Sequence, residues 1–255
     1  MTIHVTVVAY ALADDLLQLY ESCAGRDVRW HVFLHSDFPP VVAACTQLAR
    51  DSHVSVYPYR VNRGLARSWN EGLLAADRAR AEFSVIANDD AYAAKGDLHR
   101  LAQAAAQHPD AFMVSGMGFD VRENTLKDQR FALAVINPIA LQQVGCFDEN
   151  LWPIYFEDVD WCRRADLLGL SPVCVGSTHI VHAGSKTLYT AGDMDTHHRR
   201  FAANQAYYSR KWGGAIGAET FARPFDHAPF GGFIPFSQRH HPYPGFNRNP
   251  EEIRP

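Results

Sequence analysis

The stretch Phe83-Ser-Val-Ile-Ala-Asn-Asp-Asp90 joins a short apolar run directly to three polar residues. Residues 83–87 have the length and composition of a buried strand, so Asn88, Asp89 and Asp90 emerge at its carboxyl end. Two adjacent carboxylates are not buried as free anions; solvent, a cation or hydrogen-bond donors must meet them. In open parallel sheets, ligands gather beyond the carboxyl ends of the strands. This stretch therefore fixes both an architecture and the edge where chemistry is expected.

Upstream, residues 5–10, 30–34 and 54–59 also read as strands. Helical stretches at 14–23, 39–49 and 66–80 separate them. Asp14 and Asp15 suit the positive end of a helix dipole, and Pro39-Pro40 suits a helix start. Strands alternating with helices of this length predict an α/β fold with a mostly parallel sheet covered on both faces. Downstream the alternation loosens. A helix is expected at 97–106, strands at 112–117 and 130–137, a helix from Pro138 to near Gly145, and another over 158–168 stopped by Gly169. Residues 172–175 return to the sheet and lead into His179-Ile-Val-His-Ala-Gly-Ser-Lys186, and 197–211 form a last long helix. From 225 to 255 the chain is rich in Pro, Gly, His and aromatics and has little periodicity.

The 255 residues suffice for a large core, and the apolar share of 47 % is ordinary for a globular protein. A net charge of -4 supplies no basic field, which argues against a nucleic-acid partner. The five cysteines, Cys23, Cys45, Cys146, Cys162 and Cys174, form no Cys-x-x-Cys pair; most lie in apolar periodic segments, as expected of reduced, buried thiols. No apolar stretch of membrane-spanning length occurs, so a soluble cytoplasmic protein is expected, with membrane contact only at its surface.

The residues that can do chemistry fall in four places. Asp90 is read as a ligand of a divalent ion that bridges two phosphates, with Asn88 or Asp89 assisting; oxygen ligands suit magnesium or manganese. A second acidic group lies in Tyr155-Phe-Glu-Asp-Val-Asp-Trp-Cys-Arg-Arg164. There Asp158 is read as the base that takes a proton from an attacking hydroxyl, Glu157 as a group holding that hydroxyl or a sugar, and Asp160 as a partner of Arg163 or Arg164. His182 is a candidate third metal ligand, Ser185 a donor to phosphate, and His179 a core or outer-layer residue. In Asn62-Arg-Gly-Leu-Ala-Arg-Ser-Trp-Asn-Glu-Gly72, the side chains of Asn62, Arg63 and Arg67 offer donors to a nucleotide or its phosphates. Asn70 is read as steadying the loop of Asp90, and Gly72 as marking a close helix contact. Neither the dinucleotide fingerprint nor a phosphate-binding Gly-Lys-Ser/Thr loop is present, and no zinc-protease pattern accompanies His182.

In order and spacing these motifs resemble the family 2 glycosyltransferases, especially rhamnosyltransferase-like and galactofuranosyltransferase-like members. The resemblance runs over about residues 3–214. It rests on the strand Val7-Val-Ala-Tyr10, on Asn62-x-Gly64 with Asn70-x-Gly72, on Asn88-Asp-Asp90, on Phe156 through Arg164, on His182-x-Gly-Ser185 and on Tyr207-Tyr-Ser-Arg-Lys-Trp-Gly-Gly214. It implies a GT-A fold, a nucleoside-diphosphate-sugar donor, Mg2+ or Mn2+, and inversion at the anomeric carbon. Asp90 then matches the last acid of the family's Asp-x-Asp motif, with Asn88 in the place of the first. Asp158 matches the catalytic base, His182 a histidine of the metal site, and Tyr10 and Asn62 the nucleotide-facing region. At the second strand's turn, either Asp37 replaces the family's acid from a shifted position or the nucleotide base is read differently. The acceptor is then a hydroxyl on a glycan, a lipid-linked sugar or a small natural product. Residues 1–106 become the nucleotide-binding half and 107–214 the acceptor and catalytic half. The arm at 215–255 either covers the acceptor cleft or joins two copies as a homodimer. A nucleotidyltransferase or sugar-nucleotide hydrolase, and a catalytically idle binding domain, are the competing readings.

Overall fold

The computed structural model describes residues 1–184, 186–187 and 194–226. Ser185 and the arm beyond Asp226 lie outside the described residues. Strand β1 (Ile3–Ala9) sits in the middle of a parallel group with β2 (Val28–Leu34) and β4 (Phe83–Ala87), and β3 (Val54–Pro58) extends it beyond β2. Three helices connect these strands: α1 (Ala13–Cys23), α2 (Pro39–Leu48) and α3 (Leu65–Arg78). The expected strand–helix alternation holds throughout this half.

The second half adds β5 (Ala91–Ala93), α4 (Asp97–Gln107), β6 (Met113–Asp120), β7 (Thr125–Asp128) and β8 (Leu133–Ile136). After them come α5 (Glu157–Leu167), β9 (Val173–His182) and α6 (Met194–Trp212). All nine strands form one mixed sheet of order β3-β2-β1-β4-β8-β6-β9-β5, with β7 paired to β6. β8 enters antiparallel to β4, so the sheet runs without a break from the first half into the second.

Side-chain alternation assigns the two faces. Val85, Ala87, Leu133 and Val135 point into a core shared with Leu16 and Leu19 of α1, Val41 of α2 and Leu101 of α4. Ile86, Ala134 and Ile136 point into a second core with Trp69 and Leu73 of α3 and Trp161 of α5. This is the period-two rule of a pleated strand buried on both sides. Gly72 explains the tight seat of α3: a Cβ there would lie 2.2 Å from Thr6 Oγ1 of β1.

Three expectations change. The helix expected from Pro138 is present, but its span Ala140–Val144 is π-helical: Gly145 N–H reaches back to Ala140 O and Arg164 Nη1 holds Val144 O at 2.7 Å. The strand expected over 130–137 begins only at Leu133, and β5 and β7 are additional. His179 is exposed, not part of a core.

Buried charge ties α6 to α5. Lys211 Nζ lies 2.9 Å from Asp148 Oδ2 and 2.6 Å from Asp160 Oδ1, with all three side chains fully buried. Asp160 also accepts from Arg164 Nε at 3.0 Å and from Trp212 Nε1 at 2.9 Å. Arg164, not Arg163, is thus the partner on its own helix. Replacing Lys211 by Met leaves two carboxylates short of a buried cation. A loss of about 3–5 kcal/mol of unfolding free energy is expected, read from the denaturant midpoint. A midpoint equal to the wild type would show that the cation contributes nothing.

Candidate functional site

The carboxyl ends of parallel β1, β2 and β4 share one edge, which delivers Tyr10, His35 and Asn88-Asp-Asp90 to a common cavity of about 500 Å3. That volume suits a small-molecule ligand. Antiparallel pairing of β5 with β9 sets Ala91 opposite His182, which carries the imidazole to the acids. His182 Nε2 lies 3.1 Å from Asp90 Oδ1 and 3.4 Å from Asn88 Nδ2; Asp120 Oδ2 stands 3.8 Å from its other ring nitrogen. Asp89 is turned inward. One of its oxygens accepts from Thr187 Oγ1 at 3.1 Å, while Oδ2 is buried without a hydrogen-bond partner. Burial, then the neighbouring Asp90 charge, pushes the Asp89 carboxyl up to about 7.

The opposing acids start α5. Tyr155 and Phe156, immediately before it, adopt φ of 83° and 71°, a left-handed conformation disfavoured for bulky residues. α6 holds this turn in place. Asn204 Nδ2 donates to Ile154 O and Tyr155 O at 3.0 and 3.2 Å, and Phe201 packs against both aromatic rings. The turn aims Glu157 and Asp158 into the cavity. Glu157 is buried, its Oε2 has no hydrogen-bond partner, and burial followed by the Asp158 charge raises its carboxyl well above the usual range. Asp158 accepts from Val159 N–H at 2.8 Å, yet burial still raises its carboxyl.

Asn62 also lines the cavity, with its Oδ1 accepting from Gly64 N–H at 3.0 Å at the entry to α3. Asp37, Arg63 and Arg67 are not brought into it. Asp37 is exposed beyond the end of β2. Arg67 is held by Glu71 at 3.2 Å, and Arg63 lies over the Tyr59 ring at 4.0 Å, with Glu71 3.8 Å away. In place of Asp37, the β2 end presents His35, which burial and the Arg63 charge push down to about 4 and so keep neutral. Its Nδ1 accepts from Arg63 N–H, and its Nε2 meets Ser68 Oγ at 2.9 Å. Asn70 does not steady the Asp90 loop; it binds Phe147 O at 3.0 Å and Glu149 Oε1 at 2.9 Å.

Sequence reasoning missed the wall contributed by α6, where Thr196, His197 and Arg200 line the cavity, and also missed Arg130. A signal existed in His197-His-Arg-Arg200, a basic run on a helix in an acidic chain.

Glu157 and Asp158 hold protons more tightly in the folded chain than in the unfolded one. The folded state therefore binds more protons between the ordinary carboxylate range and the raised values, and its stability falls as pH rises through that window. The contribution of this pair to the melting temperature is expected to decline from about pH 5 upward, while His35, with its lowered pKa, contributes in the opposite direction. Glu157→Gln, which keeps the shape and cannot ionise, should flatten the decline; equal slopes in thermal unfolding of the two proteins would refute the assignment.

Residues 4–159, more than half of the chain, match the family described as "Glycosyl transferase family 2". No curated protein sequence matches this chain. Among solved structures, the mannosyltransferase PcManGT from Pyrobaculum calidifontis, in complex with GDP-Man and Mn2+, is similar at a TM-score of 0.56 and 18 % identity; the match covers 82 % of this chain and 64 % of that one. S. aureus TarS 1-349 is similar at a TM-score of 0.58 and 16 % identity, over 84 % of this chain and 74 % of that one. The same TarS fragment in complex with UDP gives 0.56 and 13 %, over 86 % and 74 %. At these identities the likeness shows a shared fold, and this chain spans less than two thirds of the mannosyltransferase. Family match and fold agree: the chain belongs to glycosyltransferase family 2 and has a GT-A fold.

Proposed function

We propose that this enzyme transfers a sugar from a nucleoside-diphosphate sugar to an acceptor hydroxyl with inversion, using Asp158 as base and a divalent cation held by Asp90 and His182. The observation that supports it is the convergence of Asp158, Asp90 and His182 on one cavity from three separate elements.

The fit of a cation rests on the donor set. Asp90 and His182 face each other at 3.1 Å and offer one carboxylate and one imidazole. Among the described residues no group of three or more His, Cys, Asp or Glu side chains is arranged for a metal ion. Two protein ligands suit a magnesium- or manganese-type site, where substrate phosphates and water fill the other positions. Asn88 Nδ2 stands 3.4 Å from His182 Nε2 beside that pair. A bound cation supplies stabilisation of the charge that develops on the departing diphosphate. The GDP-Man and Mn2+ of the mannosyltransferase and the UDP of TarS are ligands of those proteins, and they motivate the same donor class here.

The chain's own residues divide the remaining work. Tyr10, Asn62 and His35 line the nucleotide side. Asp158 takes the proton from the acceptor O–H as that oxygen bonds to the anomeric carbon. The bond to the diphosphate oxygen breaks with its electron pair leaving on the nucleotide, and the single displacement inverts the centre. Burial makes Asp158 a stronger base than an exposed carboxylate, so activity falls as pH drops through its raised pKa. Glu157, held toward its neutral form, donates to an oxygen of acceptor or sugar. The free cysteines fit a reducing, cytoplasmic setting. No helix among the described residues is long and apolar enough to cross a membrane.

Asp158→Asn is expected to lower kcat about 10²–10⁴-fold and leave nucleoside-diphosphate affinity near wild type. Asp90→Ala should weaken cation-dependent donor binding roughly tenfold or more in calorimetry. Full turnover by D158N removes the base assignment, and unchanged cation dependence in D90A removes the ligand assignment. A uridine-, deoxythymidine- or guanosine-diphosphate sugar should raise the melting temperature with Mg2+ or Mn2+ present, and a chelator should abolish the shift. If none of the three does so and no sugar is transferred, the donor class is wrong.

A further inference from the structure

We infer that Arg200 makes this cavity select an acceptor that carries a phosphate or carboxylate group beside its reactive hydroxyl. The inference rests on the transferase reading and adds the chemical class of the second substrate. Arg200 comes from α6 and lines the cavity with its guanidinium 4.5 Å above the Trp152 ring. Its Nε is shut off from water without a hydrogen-bond partner, and among the described residues no carboxylate pairs with it. The other arginine in the wall, Arg130, is paired to Asp128 at 2.7 Å. An arginine that lines a cavity without a carboxylate partner among the described residues is open to an oxyanion, which fits the outer donors of its fork as few other groups do. The contact with the Trp152 face limits where that fork can sit.

The anion belongs to the acceptor because of what Arg200 is attached to. Trp152 and Tyr155 lie in the turn that leads to Asp158, and His197, one helical turn before Arg200, packs on Tyr155 with ring centroids 5.1 Å apart. The guanidinium is thus built into the wall that carries the proposed base, whereas the donor's diphosphate would be met by a divalent cation on Asp90 and His182. With Glu157 and Asp158 in the same wall, an acceptor bearing negative charge needs a matched cation to approach at all.

Calorimetry with glucose 6-phosphate, glucuronate and uncharged glucose tests this on the wild type, Arg200→Gln and Arg200→Lys, with UDP and GDP titrated into each. The charged sugars should bind the wild type at least about tenfold tighter than glucose. Arg200→Gln should bring the ratio close to one and leave UDP and GDP affinities unchanged. Arg200→Lys, which keeps the charge and loses the fork, should give an intermediate ratio, and it decides the matter if circular dichroism shows that Arg200→Gln does not fold. A wild type without preference for the charged sugars overturns the inference, as does a preference that survives both variants. Loss of UDP and GDP affinity in parallel also overturns it, because Arg200 would then serve the donor. If UDP and GDP fail to bind the wild type while the sugar preference still depends on Arg200, the donor reading falls and the anion site stands.

Discussion

Four buried charges hold the helical wall of the cavity together. Lys211 and Arg164 supply two cations, Asp148 and Asp160 two carboxylates, and all four side chains are essentially closed to water. Charges that deep are tolerable only when opposite signs touch and the remaining lone pairs are occupied. Here they are: Tyr207 OH and Lys211 meet Asp148 Oδ2, Asn150 meets Oδ1, and Trp212 shares Asp160 with Arg164 and Lys211. The cluster contributes less as stability than as geometry. Removing any member strands another, so α5, α6 and the segment around Asp148 have essentially one relative placement. The chain from Leu151 to Phe156 is strung between those fixed points, and it is this segment that must turn into Glu157.

That turn stores the strain that the cluster absorbs. Two consecutive bulky residues at positive φ cost on the order of 1–3 kcal/mol each. They persist because Asn204 occupies the carbonyls of Ile154 and Tyr155 and the rings of Phe201 and Tyr208 fill the space around Phe156. In return, two neighbouring carboxyls begin a helix while facing a cavity, and burial separates their states. Glu157 is nearly sealed and favours its neutral form strongly, while Asp158 keeps a backbone donor and partial access to the cavity. Under the proposed function, one sequence pair thus serves as a hydrogen-bond donor and a base, the division that acid–base chemistry at a single site requires.

The sequence disclosed the parts of the protein set by local pattern. Residues 83–87 are apolar and bounded by acids, and they form β4 with those acids at the cavity. The alternating strands and helices up to Arg78 were legible for the same reason. β5 and β7 were not, since three residues, or four mostly polar ones, show no periodicity. Arg67 looked available although Glu71 follows it by four residues on the same helix, a spacing at which ion pairs form; the approach of Arg63 to Glu71 is set by the fold and was not legible. Asn70 looked like a neighbour of Asp90 because helical spacing says which face a residue occupies, not which distant loop will pack there. Arg200 was legible only as part of a basic run on a helix; its place over Trp152 at the cavity is set by the fold.

The cavity is therefore assembled from two kinds of support. Its strand-end half, with Tyr10, His35, Asn88 and Asp90, is rigid because parallel strands buried on both faces leave their ends no freedom. His182 joins that half through the pairing of β5 with β9. Its helical half, with Glu157, Asp158, His197 and Arg200, rests on buried charge and aromatic packing between two helices. A strand end tolerates substitution at the tip without moving its neighbours. A wall held by four interdependent charges does not, since any change at Lys211 or Asp160 reaches Asp158 through the same helix start. Variation in substrate among proteins of this fold is then easiest at positions that line the helical wall without belonging to the cluster. Arg200 is such a position: it faces the cavity, stacks on one ring and makes no bond to the charges behind it.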